Sequence, residues 1–159
     1  MKINYLFTKS IIKSVKKNSI KSKLFFAGTS EMFGTNLKKK FNEKTKFKPE
    51  SPYGKAKVAS YKFIKNFRIK HNMHLSTGIL FNHESPKKDK SYVLRKISSS
   101  VAKIKTGLQN KMFLGDIKSK RDWGHAKDFV RAMWLICQQK KPDDYVIGTG
   151  KLHSVEDFV

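Results

Sequence analysis

Ser22-Lys23-Leu24-Phe25-Phe26-Ala27-Gly28-Thr29-Ser30-Glu31, followed downstream by Ser51-Pro52-Tyr53-Gly54-Lys55-Ala56-Lys57, decides how this chain is read. Ser22 to Gly28 is a compact apolar run of strand length that ends at a glycine, as a buried parallel strand does. A hydroxyl and a carboxylate, Thr29 and Glu31, follow it directly. Ser51 then offers an N-cap and Pro52 a preset first turn, so a helix opens there. Lys57 to His71 continue it, with Val58, Tyr61, Ile64 and Phe67 at helical spacing.

The same alternation extends outward. Upstream, Thr8 to Lys17 reads as a short amphipathic helix through Ile11, Ile12 and Val15. Between strand and helix, Asn36 to Glu50 is polar and lysine-rich, a loop closed by Pro49. Downstream, His74 to Phe81 is a second buried strand and Asn82 to Pro86 a turn. Tyr92 to Lys105 is a helix with apolar positions at Val93, Ile97, Val101 and Ile104. Lys111 to Gly115 reads as a short strand and Ile117 to Trp123 as a polar loop. His125 to Gln138 is an amphipathic helix carrying Phe129, Val130, Met133, Trp134 and Ile136, and Asp143 to Gly148 a last strand. Ser154-Val155-Glu156-Asp157 has the pattern of a capping box. Strands alternating with helices predict an α/β architecture built on a parallel sheet. Both ends read as cut, because a partial parallel sheet leaves apolar faces and strand edges uncovered.

Composition narrows the function classes. With 159 residues, 38% of them apolar, the chain can form a core. Cys137 is the only cysteine, which excludes an internal disulfide and suits a reducing compartment, with cytoplasm expected. No apolar run has membrane-spanning length, and Met1 to Phe7 is too broken for a signal peptide. The net charge of +23 invites a nucleic-acid reading. Yet only four of the 35 basic residues are arginine (Arg68, Arg95, Arg121, Arg131), and the lysines are spread along the whole chain. Phosphate and base readers favour the forked guanidinium, so the excess describes a solvated surface and predicts no specific nucleic-acid partner. His71 and His74 fit a helix end and a strand start, with no cysteine or carboxylate cluster around them to make a metal site.

The chemistry lies in Tyr53 and Lys57. Four residues apart on a helix, they project from one face. A tyrosine acting as a base near neutrality needs its pKa lowered by about 2–3 units, roughly 3–4 kcal/mol of phenolate stabilisation. A neighbouring ammonium and the positive end of a helix supply stabilisation of that kind. Spacing alone does not single this pair out, since Tyr61 and Lys65 repeat it within the same helix.

Longer motifs carry a family resemblance. Phe25-Phe26-Ala27-Gly28-Thr29-Ser30-Glu31-Met32-Phe33-Gly34, Ser51-Pro52-Tyr53-Gly54 and Gly78-Ile79-Leu80-Phe81-Asn82-His83-Glu84-Ser85-Pro86 resemble the GDP-mannose 4,6-dehydratase family of extended short-chain dehydrogenases/reductases. So do Arg121-Asp122-Trp123-Gly124-His125-Ala126-Lys127-Asp128 and His153-Ser154-Val155. The resemblance runs from about Lys21 onward. It implies a partial Rossmann-like sheet with its catalytic residues over 1–85, and part of a smaller substrate-binding region over 86–159 interleaved with the last Rossmann elements.

By the same resemblance, Tyr53 takes the proton from the sugar O4 while hydride leaves C4 for NADP. Lys57 holds the nicotinamide ribose, Thr29 hydrogen-bonds near O4, and Glu31 removes the C5 proton and helps expel the C6 hydroxyl as water. Oxidation at C4 is what makes the C5 proton acidic. His83 and Lys88 are implied at the cofactor, Asn82 at the substrate diphosphate, and Lys96 and Arg121 at the GDP moiety. Lys87-Lys88 stands where the family carries two arginines, keeping the charge and losing the fork. The Gly-x-x-Gly-x-x-Gly fingerprint of the cofactor-binding half does not occur in the sequence. The 159 residues are therefore expected neither to retain NADP nor to turn over GDP-mannose alone; the full-length family assembles as homotetramers.

Overall fold

The computed structural model describes residues 2–34 and 40–159; Met1 and the 36–39 part of the loop read at Asn36 to Glu50 lie outside them. The chain divides into two compact units, one formed by Met1–Phe81 with Phe129–Ile147, the other by Asn82–Asp128 with Gly148–Val159.

The first unit is a parallel sheet with helices. Helix α1 (Lys2–Asn18) precedes strand β1 (Leu24–Thr29), and a 3-10 turn at Ser30–Met32 leads on to helix α2 (Pro52–His71) and strand β2 (Leu75–Leu80). Helix α1 is longer than the Thr8–Lys17 pattern, because the segment before Thr8 continues the same turn geometry. Every residue of β2 is buried. It pairs with β1 from Leu24↔Leu75 to Thr29↔Leu80. On its other side it pairs with the strand Asp144–Ile147, from Thr77↔Asp144 to Leu80↔Ile147, both ladders parallel. Gly78 in β2 leaves room for the Phe25 ring of the neighbouring strand, which lies 2.5 Å from where a Cβ would stand.

One layer of apolar side chains joins helices to sheet: Ile12 from α1, Ile64 from α2, Met73 and Leu75, with Val15, Leu24, Phe26, Phe63 and Phe67 around them. At about 1.5–3 kcal/mol for each fully buried aliphatic chain, this layer carries much of the unit's stability. A second cluster of Met32, Val58 and Tyr61 sits over the 3-10 turn. The lysine-rich segment before Ser51 is anchored there by rings that its polar composition hides. Phe33 stacks on Phe41 at 4.7 Å, and Phe47 meets Tyr61 edge-on at 5.0 Å.

In the second unit, Asn82–Glu84 forms β3, a short strand and not the turn expected from Asn82 to Pro86. It runs parallel to β5 (Trp123–His125). Helix α3 spans Val93–Lys105, and β4 (Lys120–Arg121) pairs antiparallel with β7 (His153–Ser154), so the loop expected at Ile117 to Trp123 holds strand residues. Helix α4 (Ala126–Gln138) crosses the division and leads to β6 (Asp144–Ile147). Leu94, Ile97 and Val155 form this unit's core with Met112, Leu114 and Trp123.

Two sequence expectations give way here. Val101 and Ile104 are exposed, and α3 buries Leu94, Ile97 and Ser100 instead, because the core covers only its first turns. Lys111 to Gly115 alternates inward and outward like a strand, yet among the described residues it has no ladder partner. The capping box is present in both directions: Ser154 N–H donates to Asp157 Oδ2 at 2.8 Å, and Asp157 N–H to Ser154 Oγ at 3.0 Å. Among the described residues, no helix is long and apolar enough to cross a membrane.

The Asp144 carboxylate, buried at the start of β6, fastens that strand to α2. Arg68 donates to both of its oxygens, each at 3.0 Å, and Tyr61 donates to Oδ2 at 2.9 Å. Arg68 also reaches the Leu75 carbonyl at 3.0 Å. Asp144→Ala strands a buried guanidinium and is expected to cost about 3–5 kcal/mol. Asp143, 4.0 Å from Arg68 with its side chain 74% exposed, is expected to cost no more than about 1 kcal/mol as Asp143→Ala. Urea midpoints of the two variants measure the difference.

Candidate active site

Thr29 ends β1 in extended backbone, and its hydroxyl accepts from the Glu31 N–H at 3.4 Å, turning the chain into the 3-10 turn. That turn lies against the head of α2. A Cβ on Gly54 would stand 2.7 Å from the Glu31 carbonyl oxygen, so only glycine lets the two backbones approach this closely. Ser51 caps α2 by accepting from the Gly54 N–H at 2.9 Å, with Pro52 in the first turn as the sequence predicts. The Ser51 hydroxyl donates in turn to Glu31 Oε2 at 2.5 Å.

Tyr53, 44% exposed, stands in that first turn. One turn on, the Lys57 ammonium donates to the Ala27 carbonyl of β1 at 2.8 Å. It also lies over the rings of Phe26 at 4.9 Å and Tyr53 at 5.6 Å. Partial burial lowers its pKa below the ordinary lysine value of 10.5. Thr29, Glu31, Tyr53 and Lys57 thus meet around the carboxyl end of β1 and the first turn of α2. In open parallel sheets that end of the strands is where ligands bind.

The second Tyr-x-x-x-Lys pair has another task. Tyr61 is buried, and burial together with the Asp144 carboxylate it donates to pushes its pKa well above the ordinary tyrosine range. A phenol held that firmly in its protonated form is a structural donor and no base. Of the two pairs in α2, Tyr61–Lys65 is taken up in this network, and Tyr53–Lys57 stands at the exposed head of the helix.

The five residues other than Lys57 assigned to binding lie in the second unit. Asn82, Lys88 and Arg121 line an open cleft of about 350 Å³, together with Glu84, Tyr92 and Trp123. His83 and Lys96 are not among the lining residues. Lys88 is engaged within its own segment, its ammonium 2.7 Å from Glu84 Oε1, 3.1 Å from the His83 carbonyl and 4.4 Å from the centre of the Tyr92 ring. Lys96 donates to the Phe113 carbonyl at 2.6 Å. Arg121 is exposed and donates to Ser119 Oγ at 2.8 Å and the Lys120 carbonyl at 2.7 Å. Sequence reasoning missed its neighbour Asp122, a buried carboxylate that accepts from Thr149 N–H at 2.9 Å, Thr149 Oγ at 2.7 Å and Gly150 N–H at 2.8 Å. Only its place between Arg121 and Trp123 marked it.

A parallel α/β sheet with a Tyr-x-x-x-Lys pair heading the helix beside a strand-end Thr/Glu defines the extended short-chain dehydrogenase/reductase class. RMD from Pseudomonas aeruginosa, solved in complex with NADPH, superposes with a TM-score of 0.90 at 21% identity, over 97% of this chain and 54% of that one, and shares the fold. All 159 residues match the GDP-mannose 4,6 dehydratase family, and the chain belongs to it. GDP-mannose 4,6 dehydratase of Homo sapiens is 50% identical over 142 residues, and GDP-mannose 4,6 dehydratase 1 of Arabidopsis thaliana 44% over 153. These alignments cover 89% and 94% of this chain and only 38% and 42% of the relatives, so the chain spans about two fifths of their length.

Gly54→Ala forces a methyl group onto the Glu31 carbonyl. It is expected to destabilise the first unit by about 1–3 kcal/mol, as overpacking does, although alanine is the better helix former by about 1 kcal/mol. A thermal melt equal to or above that of the unsubstituted chain would show that the close approach does not constrain the site.

Proposed function

We propose that this chain carries the catalytic groups of a GDP-mannose 4,6-dehydratase, which converts GDP-mannose to GDP-4-dehydro-6-deoxy-mannose and water. The single observation that carries the reading is the Lys57 ammonium, bonded to the end of β1 and lying over the Tyr53 ring, beside the Thr29–Glu31 turn that Ser51 ties to the same helix head, in a chain of that family. Since the stretch spans about two fifths of its relatives, the reaction is proposed for the whole polypeptide of which it forms this part.

Tyr53, with the Lys57 ammonium beside its ring, accepts the O4 proton as C4 is oxidised. Thr29 hydrogen-bonds near O4. The new ketone acidifies C5–H, and Glu31 removes that proton and returns one to the departing C6 hydroxyl. One proton leaves the O4 hydroxyl and the other leaves C5, which is why a carboxylate works alongside the phenolate. Lys57 fits a nicotinamide ribose as well as the phenol: it uses one of its three donors on Ala27 at the carboxyl end of β1. NADP is the cofactor proposed, and when bound it would accept the C4 hydride and return it to C6; solved neighbours of this fold hold NADPH in one case and NAD in others. His83 and Lys88 are proposed to join at the cofactor, Lys88 releasing Glu84 to do so, and Asn82, Lys96 and Arg121 at the diphosphate and GDP. A cytoplasmic homotetramer is the assembly proposed.

The test places residues 1–159 in the matching stretch of the human relative and supplies GDP-mannose and NADP. The expected product is the nucleotide sugar lighter by one water and carrying a ketone. Tyr53→Phe is expected to slow its formation by about 10²–10⁴-fold, the range of a lost general base; an unslowed variant, or no product from the unsubstituted chimera, overturns the reading. Because the Lys57 ammonium loses its proton below the ordinary lysine value of 10.5, rate should fall on the alkaline side before that pH. In Lys57→Arg the guanidinium stays charged, so the rate is lower but the alkaline fall disappears from the pH profile.

A further inference from the structure

We infer that Ser51 is a positioning residue for Glu31, and that the cap of α2 and the orientation of the proposed C5 base are one hydrogen-bond relay. The inference rests on the role proposed above for Glu31 and adds a residue to that site.

A serine hydroxyl has one proton and two acceptor lone pairs. The Gly54 N–H occupies one lone pair at 2.9 Å, which leaves the proton for Glu31 Oε2 at 2.5 Å. Glu31 is exposed and sits on a 3-10 turn of three residues. A carboxylate so placed would sample several rotamers. Ser51, twenty residues away in sequence, restrains one oxygen and leaves the other to receive a proton. Two residues after Ser51 comes Tyr53, on the same first turn. The relay therefore ties the two proposed proton acceptors to one rigid element: Tyr53 belongs to it, and Glu31 is bonded to its cap. A group bound to the positive end of a helix also shares in its field.

Substitutions separate capping from positioning. Ser51→Asp keeps an acceptor for the Gly54 N–H, and aspartate is a strong N-cap, but it has no proton for Glu31 and repels it. Ser51→Thr keeps both functions. Ser51→Ala keeps neither. Carbodiimide-directed carboxyl labelling of the full chain, resolved by residue with mass spectrometry, reads the freedom of Glu31 without requiring turnover. Ser51→Thr is expected to label at the rate of the unsubstituted chain. Ser51→Ala and Ser51→Asp are expected to label Glu31 about three- to tenfold faster, the population effect of losing one ordinary hydrogen bond at an exposed position. Asp89 serves as the reference and should label at one rate throughout. Equal labelling of Glu31 in Ser51→Asp and the unsubstituted chain overturns the inference and leaves Ser51 a cap only.

In the chimera with the human relative, Ser51→Asp is expected to lower kcat with KM unchanged, and Ser51→Thr to restore it. Absence of turnover in the unsubstituted chimera is a failure of the proposed function. Unchanged Glu31 labelling is a failure of the relay. The two results are read separately.

Discussion

Backbone meeting backbone, where the Glu31 carbonyl lies 2.7 Å from the place a Gly54 side chain would fill, is the contact on which the site's geometry depends. A strand and the helix that follows it meet through side chains, at distances those side chains set. Here one side chain is missing, and the turn after β1 settles directly onto the head of α2. The Ser51 hydroxyl can then span from the helix cap to a carboxylate in that turn. Phe33 packs on Phe41 and Phe47, which holds the residues around them over the same place, and Lys48 N–H donates to the Met32 carbonyl at 3.0 Å. Precision at the proposed active site is therefore a packing property before it is a chemical one.

One helix presents two tyrosine–lysine pairs with equal spacing and opposite fates. Tyr61 faces the sheet and meets Asp144, which Arg68 already grips with two hydrogen bonds; its proton is committed to that network. Tyr53 precedes it by eight residues, on a turn open to solvent, with an ammonium over its ring. Burial works in contrary senses on the two sites. It keeps the proton on Tyr61 by disfavouring a phenolate, and it loosens the proton on Lys57 by disfavouring an ammonium. The carbonyl and the two aromatic rings around Lys57 oppose that loss by favouring the charged form.

Legibility differed between the two units for physical reasons. Strands β1 and β2 are short continuous apolar runs because both their faces are covered, and such runs show in sequence. The head of α2 shows because serine and proline have strong positional preferences there. In the second unit, strands of two or three residues are defined by their partners and not by pattern, so Asn82–Glu84 resembles a turn until Trp123–His125 lies beside it. Lys111 to Gly115 has the alternation of a strand, with Met112 and Leu114 packed inward, but lacks a ladder. The apolar positions of α3 and α4 predict helices correctly and the buried face poorly: Val101, Ile104, Val130 and Trp134 remain exposed.

Local chemistry, acting over a few residues, was enough for the sequence to determine the α/β class, the main helices and strands and the cap at Ser51, while the four candidate catalytic side chains were singled out by the family resemblance of longer motifs. The elements and the cap are properties of neighbours along the chain, where propensity and periodicity operate. Which tyrosine is exposed, which oxygen of Glu31 is restrained, why position 54 has no side chain and what Asp122 and Asp144 hold were decided only in three dimensions. Each of these depends on groups separated by more than a few residues, from the twenty between Glu31 and Ser51 to the 83 between Tyr61 and Asp144. A hydrogen bond of that span leaves no periodic trace, since its partners are brought together by the burial of the core between them.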